Sequence, residues 1–177
     1  FINSIKDEDS NKAEIHIALF SFGGESATCD IPLTPIDQVL LQTYQAQGRT
    51  PMGKAFVMLK ELIEDKVQIP SRAYKPTIVL LTDGFPTDDF ISPMNLLIND
   101  GRSSKAFRIA MAIGDDADRN MLSKFVSEPD YLVLGEVARD IRKFFRFVTM
   151  SVTQRMKSQT PDIQQIPQMP DDDTLDF

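Results

Sequence analysis

Asp83 directly follows a short apolar run that ends abruptly at an acid and a glycine. The run, Thr77–Thr82, reads Thr-Ile-Val-Leu-Leu-Thr and is typical of a strand covered on both faces. Gly84 and Pro86 prevent the strand from continuing. Because ligand sites in open α/β sheets form beyond the carboxyl ends of strands, the sequence places the Asp83 carboxylate where a ligand would be held.

Thr50 is the second candidate, in the segment Gly-Arg-Thr-Pro-Met-Gly-Lys-Ala-Phe of residues 48–56. We expect Thr50 to be the N-cap of a helix that starts at Pro51, since apolar residues follow at helical spacing. A hydroxyl and a carboxylate are hard oxygen donors, which Mg²⁺ or Mn²⁺ accepts while keeping several waters. Two ligands alone make a weak site. The alternatives are that Thr50 only caps its helix and that Asp83 only orders its own turn.

The elements that must position these residues alternate along the chain between strand and helix patterns. Such alternation favours an α/β fold with a mainly parallel sheet and helices on both faces. A short segment containing Pro32 is predicted to be an edge strand. The remaining predicted elements are strands over 14–22, 77–82, 107–113 and 131–134, and helices over 51–66, 92–101, 119–126 and 137–156.

In this order the segments resemble the von Willebrand factor A family and its metal-ion-dependent adhesion site. Within that family the chain is most similar to bacterial TerY-like tellurite-resistance proteins, through residues 82–89 and the Phe144-Phe145 helix. The resemblance implies a Rossmann-like sandwich with a mostly parallel central sheet, helices on both faces and a short antiparallel edge strand. We assign residues 1–157 to this domain and residues 158–177 to an acidic, Pro- and Gln-rich tail that is disordered or loosely packed.

The resemblance also implies a function for the two candidate residues. It implies a non-enzymatic, metal-ion-dependent protein-interaction domain, in which Thr50, Asp83 and residues upstream of Phe1 hold Mg²⁺, with Mn²⁺ or Ca²⁺ as alternatives. An open position on the ion would accept an Asp or Glu carboxylate from a protein partner. By analogy, the setting would be a bacterial tellurite or stress response in the cytoplasm.

One part of the family pattern is missing from these 177 residues, namely the Asp-x-Ser-x-Ser that ends the first strand. Residues 1–6 instead have the pattern of a helix end. In the family that first strand is central, and a sheet without it leaves costly unpaired backbone groups. We therefore expect the strand to precede residue 1. The alternatives are that another chain supplies the strand and that the sheet is rewired, and in either case we expect the metal site to be defective.

Composition narrows the classes of partner. A net charge of −7 and a pI near 4.7 argue against nucleic acid. No apolar run reaches the roughly 18 residues that span a bilayer, so no membrane partner is predicted. The single cysteine, Cys29, precludes an internal disulfide and suits a reducing compartment. We expect it to be buried in its strand.

Two other functions stay open at this stage. A Mg²⁺-dependent phosphoester hydrolase could use Asp83 and Asp88 as paired acids, but the Asp-x-Asp that such enzymes place at a strand end is missing. A metal-free scaffold domain is the other alternative. Thr87, Asp88 and Asp89 are predicted to initiate a helix rather than to bind metal, because acids favour helix N-termini. Asp118 is likewise predicted to be a turn or capping group.

Overall fold

The computed structural model describes residues 14–40, 43, 48–158 and 162. Its helices and strands follow the order that the sequence predicts. They are strand β1 (His16–Gly23), strand β2 (Ser26–Pro35), helix α1 (Met52–Glu64), strand β3 (Thr77–Thr82), helix α2 (Ile91–Asn99), strand β4 (Phe107–Ile113), helix α3 (Arg119–Phe125), strand β5 (Leu132–Gly135) and helix α4 (Ala138–Lys157).

The strands form two separate sheets. Strands β3, β4 and β5 form a parallel sheet in that order, with Thr77 opposite Phe107 and Thr82 opposite Ala112. Strands β1 and β2 form an antiparallel hairpin whose register shifts on either side of Leu19. The prediction of an α/β fold with a parallel sheet and a short antiparallel edge element is confirmed.

The core lies against the three-stranded sheet. Strand β4 is central and almost entirely buried, as its sequence Phe-Arg-Ile-Ala-Met-Ala-Ile indicates. Phe125 of α3 stacks on Phe56 of α1 with 5.7 Å between ring centroids, and Tyr131 meets Phe107 edge-on at 4.5 Å. Helix α4 contributes its buried Phe144 to the same core. Aromatic contacts from three helices thus fix the sheet whose strand ends carry the candidate site.

Three sequence predictions are wrong in detail. Helix α1 begins at Met52, and its N-cap is Pro51, so Thr50 does not cap it. The same helix ends at Glu64, two residues before the predicted end. Cys29 is exposed rather than buried, because a two-stranded hairpin has few neighbours to cover its faces.

Two predictions fall mainly outside the described residues. The helix end expected over residues 1–6 lies there entirely, and so does the tail apart from Ser158 and Asp162. The Asp162 carboxylate accepts the Lys75 backbone N–H at 3.0 Å and lies 3.7 Å from the Arg155 guanidinium. The domain boundary at residue 157 stays a prediction.

Candidate metal centre

The carboxyl ends of the three parallel strands form one rim of the molecule. Thr82 ends β3 beside Ala112 of β4, and the Gly114 N–H donates to the Gly135 carbonyl at 2.8 Å across the ends of β4 and β5. Asp83 is the first residue beyond β3 and is exposed at this rim. The strand ends therefore place its carboxylate where sequence analysis expects it.

The loop before α1 is joined to the turn after β3 by reciprocal hydrogen bonds. The Thr50 N–H donates to the Thr87 hydroxyl at 3.0 Å, and the Thr87 N–H donates to the Thr50 carbonyl at 2.9 Å. A Cβ atom at Gly84 would lie 3.2 Å from the Thr50 hydroxyl oxygen. The structure thus brings the Thr50 hydroxyl next to the neighbour of Asp83.

Asp88 has the helix-capping role that the sequence predicts for Thr50. Its two carboxylate oxygens accept the Gly53 N–H at 2.9 Å and the Lys54 N–H at 3.0 Å. These N–H groups belong to the first turn of α1, where a negative charge is favourable and charge-assisted hydrogen bonds are strong. Asp88 was predicted to initiate the helix that follows it. It caps the preceding helix instead, which no local signal indicates.

Gly53 allows α1 to approach the same turn closely. A Cβ at this position would collide with the Asp89 carbonyl group and would lie 3.0 Å from Phe90 Cα. Because those contacts are backbone atoms, they cannot move aside as a flexible side chain would. The absence of a side chain at residue 53 therefore lets the N-terminus of α1 sit directly on the Asp88 loop.

The side-chain oxygens of the two predicted ligands, Thr50 and Asp83, have no hydrogen-bond partner among the described residues. Within residues 48–158, no hydrogen bond involves the Thr50 hydroxyl or the Asp83 carboxylate. The turn after β3 is ordered by Thr82, whose hydroxyl accepts the Gly84 N–H at 3.3 Å and donates to the Gly84 carbonyl at 3.2 Å. The structural roles considered for Thr50 and Asp83 therefore belong to Asp88 and Thr82.

Other acids near the rim have structural partners. Asp118 caps α3 by accepting the Met121 N–H at 2.9 Å, which confirms its predicted capping role. Asp115 forms an ion pair with Arg119 at 2.9 Å. In the described part of the chain, no group of three or more His, Cys, Asp or Glu side chains could hold a metal ion. The assignment of Thr50 and Asp83 as two metal ligands, with the remaining ligands upstream of Phe1, therefore stays a prediction.

An ionisable cluster at the opposite end of α1 ties the helix to the connection after α2. The Lys60 ammonium donates to the Asp100 carbonyl at 2.9 Å and to the Ser103 hydroxyl at 3.2 Å. Burial raises the pKa of Glu64, but backbone N–H groups of Ser103 and Arg102 and the Lys60 ammonium together lower that pKa to about 2. The charged carboxylate is therefore strongly favoured by the folded state.

The von Willebrand factor type A domain matches residues 1–157. No curated protein matches the chain. No helix in the described residues is long and apolar enough to cross a membrane.

Solved structures share the fold. The chain is similar to proximal thread matrix protein 1 from the mussel byssus, in the form with a zinc-occupied MIDAS motif, at 21% identity and a TM-score of 0.59. It is also similar to the ArnB paralog VWA2 from Sulfolobus acidocaldarius, at 14% identity and a TM-score of 0.53. These alignments cover 84% and 87% of this chain but only 38% of each of the other two. At such identities the likeness concerns the fold alone, and it is the match over residues 1–157 which shows that the chain belongs to the von Willebrand factor type A domain family.

Proposed function

We propose that this domain binds a protein partner through a divalent metal ion, with Thr50 and Asp83 as two of the ligands, and that it catalyses no reaction. The observation that carries the proposal is the position of the Thr50 hydroxyl, 3.2 Å from where a Gly84 Cβ would lie. That position is adjacent in sequence to Asp83. Domains of this family are often metal-dependent interaction modules and are typically non-enzymatic.

The chemistry of the two donors favours a hard cation. A hydroxyl and a carboxylate suit Mg²⁺ or Mn²⁺, and Ca²⁺ accepts the same oxygens with more ligands. The zinc-occupied MIDAS motif of the mussel byssus protein supports binding of a divalent ion by this fold. An ion held by few protein ligands keeps exchangeable positions, and a partner's Asp or Glu carboxylate is the group that would enter one. The contacts between residues 48–50 and residues 83–88 would hold the two ligating loops in a fixed position relative to each other.

The same turn offers an apolar contact to a partner. Phe85 is 60% exposed and lies between Gly84 and Pro86, two residues from Asp83. A partner whose carboxylate reaches the ion would therefore meet an aromatic side chain beside it. The resemblance to TerY-like proteins adds a bacterial tellurite or stress response, and a cytoplasmic location, as the setting of this proposal.

Metal binding can be tested without knowing the partner. We expect Mn²⁺, followed by electron paramagnetic resonance and calorimetry, to bind the wild-type chain at one site. Asp83→Asn should weaken this binding by at least about tenfold, because it removes the only formal charge among the two ligands. Thr50→Val should weaken it less, since a neutral donor is lost.

Asp89→Asn is the matched control, because Asp89 is an exposed acid on the same turn and its loss changes the net charge equally. Equal loss of Mn²⁺ affinity in Asp83→Asn and Asp89→Asn would overturn the site and leave only general electrostatic attraction. Hydrolysis of a phosphoester panel by the wild-type chain, abolished in Asp83→Asn, would overturn the non-enzymatic assignment. Partner binding that a chelator leaves unchanged would favour the metal-free scaffold.

A further inference from the structure

The tip of the β1–β2 hairpin lies against the loop that carries Thr50. The Arg49 guanidinium donates from Nη1 to both carboxylate oxygens of Glu25, at 2.9 and 3.1 Å. The Lys54 ammonium donates to the backbone carbonyl of Glu25 at 2.6 Å. Arg49 directly precedes Thr50, and Lys54 lies in the first turn of α1. Two cations therefore hold the hairpin tip beside the two loops of the proposed metal site.

These cations make one side of the rim positive, although the net charge of the chain is −7. The acids Asp83 and Asp89 lie on the other loop, the turn after β3. A carboxylate that approaches the proposed ion is attracted by the cations beside Thr50 and repelled by Asp89. The charge distribution therefore favours an acidic partner that also contacts the loop before α1.

Arg49 has hydrogen-bonding capacity beyond its contact with Glu25. A guanidinium has five N–H donors in a planar fork, and in the described part of the chain only Nη1 of Arg49 donates, with Glu25 as its acceptor. The side chains of Arg49 and Glu25 are 62% and 82% exposed. Because an ion pair this exposed contributes little stability, a second carboxylate can share or take the guanidinium at low cost.

We propose that Arg49 is a specificity-determining residue for a partner that presents two carboxylates, one to the metal ion and the other to the Arg49 guanidinium. Glu25 is then the internal competitor for the second carboxylate. This inference rests on the proposed function, because the first carboxylate needs the ion. An extended Asp-x-Asp segment supplies such a pair, since alternate side chains point to the same face about 7 Å apart.

The chemistry of the two cations assigns this role to Arg49 rather than to Lys54. The fork of a guanidinium matches the two oxygens of a carboxylate, whereas an ammonium acts as a point charge. The Lys54 ammonium is bonded to the Glu25 carbonyl, and its backbone N–H is bonded to Asp88. Lys54 therefore secures the hairpin tip and the start of α1, while Arg49 keeps donors for a partner.

The test compares two synthetic peptides on the 177-residue chain loaded with Mn²⁺. One peptide is Gly-Asp-Gly-Asp-Gly and the other is Gly-Asp-Gly-Asn-Gly, each labelled at a blocked N-terminus and amidated at the C-terminus. Their affinities are measured by fluorescence anisotropy. We expect the two-acid peptide to bind at least about tenfold more tightly, because it adds a charge-assisted contact with Arg49.

Three exposed positions supply the variants. Arg49→Gln should abolish the preference for the two-acid peptide, and Arg49→Lys, which keeps the charge but not the fork, should leave a preference of at most about threefold. Glu25→Gln removes the competing charge and should tighten binding of the two-acid peptide at least about threefold. Lys54→Gln is the matched control, because it removes the same charge from the same rim, and it should keep the tenfold preference.

Three outcomes would overturn the role of Arg49. They are equal binding of the two peptides by the wild-type chain, equal loss of the preference in Arg49→Gln and Lys54→Gln, and a two-acid affinity that is unchanged or weaker in Glu25→Gln. Mn²⁺ affinity, measured in every variant, separates this inference from the proposed function. If Mn²⁺ binds and Asp83→Asn weakens it while the two peptides bind equally, the metal site stands and only the role of Arg49 is wrong. Absence of Mn²⁺ binding by the wild-type chain would overturn both.

Discussion

The three-stranded half of the domain and the β1–β2 hairpin differ in how completely they are packed. Strand β4 is buried along nearly its whole length, while residues 17–23 of β1 are all only partly buried. The buried core is built from the parallel sheet and the helices, and the hairpin contributes to it only the partly buried Phe22. Among the described residues, the buried core therefore lies chiefly in the parallel half, and we expect that half to contribute most of the stability.

Truncation of one large side chain in each half should give the largest difference in the free energy of unfolding between the two halves. Phe144 is completely buried beneath the parallel sheet, so Phe144→Ala should lower the free energy of unfolding by about 3–5 kcal/mol. Phe20→Ala in the hairpin should lower it by only about 1 kcal/mol, because the side chain is partly exposed. Urea unfolding followed by circular dichroism measures both. Equal losses would show that the hairpin is as much a part of the folding unit as the sheet.

Removal of the cap on α1 tests how much the Asp88 carboxylate stabilises the rim of the parallel half. Asp88→Ala removes two charge-assisted hydrogen bonds to Gly53 and Lys54 and should lower the free energy of unfolding by about 2 kcal/mol. It should also weaken Mn²⁺ binding, because the Thr50 loop loses its support. Asp89→Ala is the control and should change unfolding by less than about 0.5 kcal/mol. A loss of stability without any loss of Mn²⁺ affinity would show that this cap does not support the proposed metal site.

These differences also explain what the sequence could predict. The position of Asp83 follows directly from a local pattern, because an apolar strand that ends at Thr82 and is stopped by Gly84 must deliver the next residue to a sheet rim. Strand β4 is predicted to the residue, since its apolar run has sharp ends. In both cases the signal lies within a few consecutive residues.

Other features depend on contacts between distant residues, which spacing alone does not encode. Asp88 caps a helix that begins 36 residues earlier, so the local capping pattern pointed to Thr50 instead. The strand pattern around Cys29 predicts extended backbone, but exposure depends on what covers the hairpin. The division of the described strands into two sheets likewise depends on which strands pair with each other, and the pattern within a single strand does not encode that.

The cluster at the far end of α1 provides a pH-dependent test of the parallel half. The pKa of Glu64 is lowered to about 2 in the folded state, against about 4.3 in an unfolded chain, so its stabilising contribution is present above pH 4.3 and is lost as the pH falls toward 2. Glu64→Gln should lower the free energy of unfolding by about 1 kcal/mol at pH 7, a value reduced from the full linkage because the side chain is 33% exposed.

Denaturant unfolding at pH 7 and pH 2.5 measures this effect. The difference between wild type and Glu64→Gln should shrink at the lower pH, because the wild-type carboxylate then loses its advantage. Glu61→Gln, an exposed position on the same helix, should behave as wild type at both pH values. A difference that stays constant with pH would mean that the Gln side chain alters packing rather than charge.

The smallest effect on stability is expected at Phe85, which lies on the exposed turn after β3. Because 60% of this residue is exposed, Phe85→Ala should change the free energy of unfolding by less than about 0.5 kcal/mol and should leave Mn²⁺ affinity unchanged. If the turn after β3 is a partner-binding surface, the same change should weaken capture of a metal-dependent partner by about tenfold, as loss of an aromatic anchor does. Val67→Ala, at a residue 91% exposed beyond the end of α1, is the matched control. Equal partner affinity in both variants would confine recognition to the ion and its ligands, and would remove Phe85 from the proposed interface.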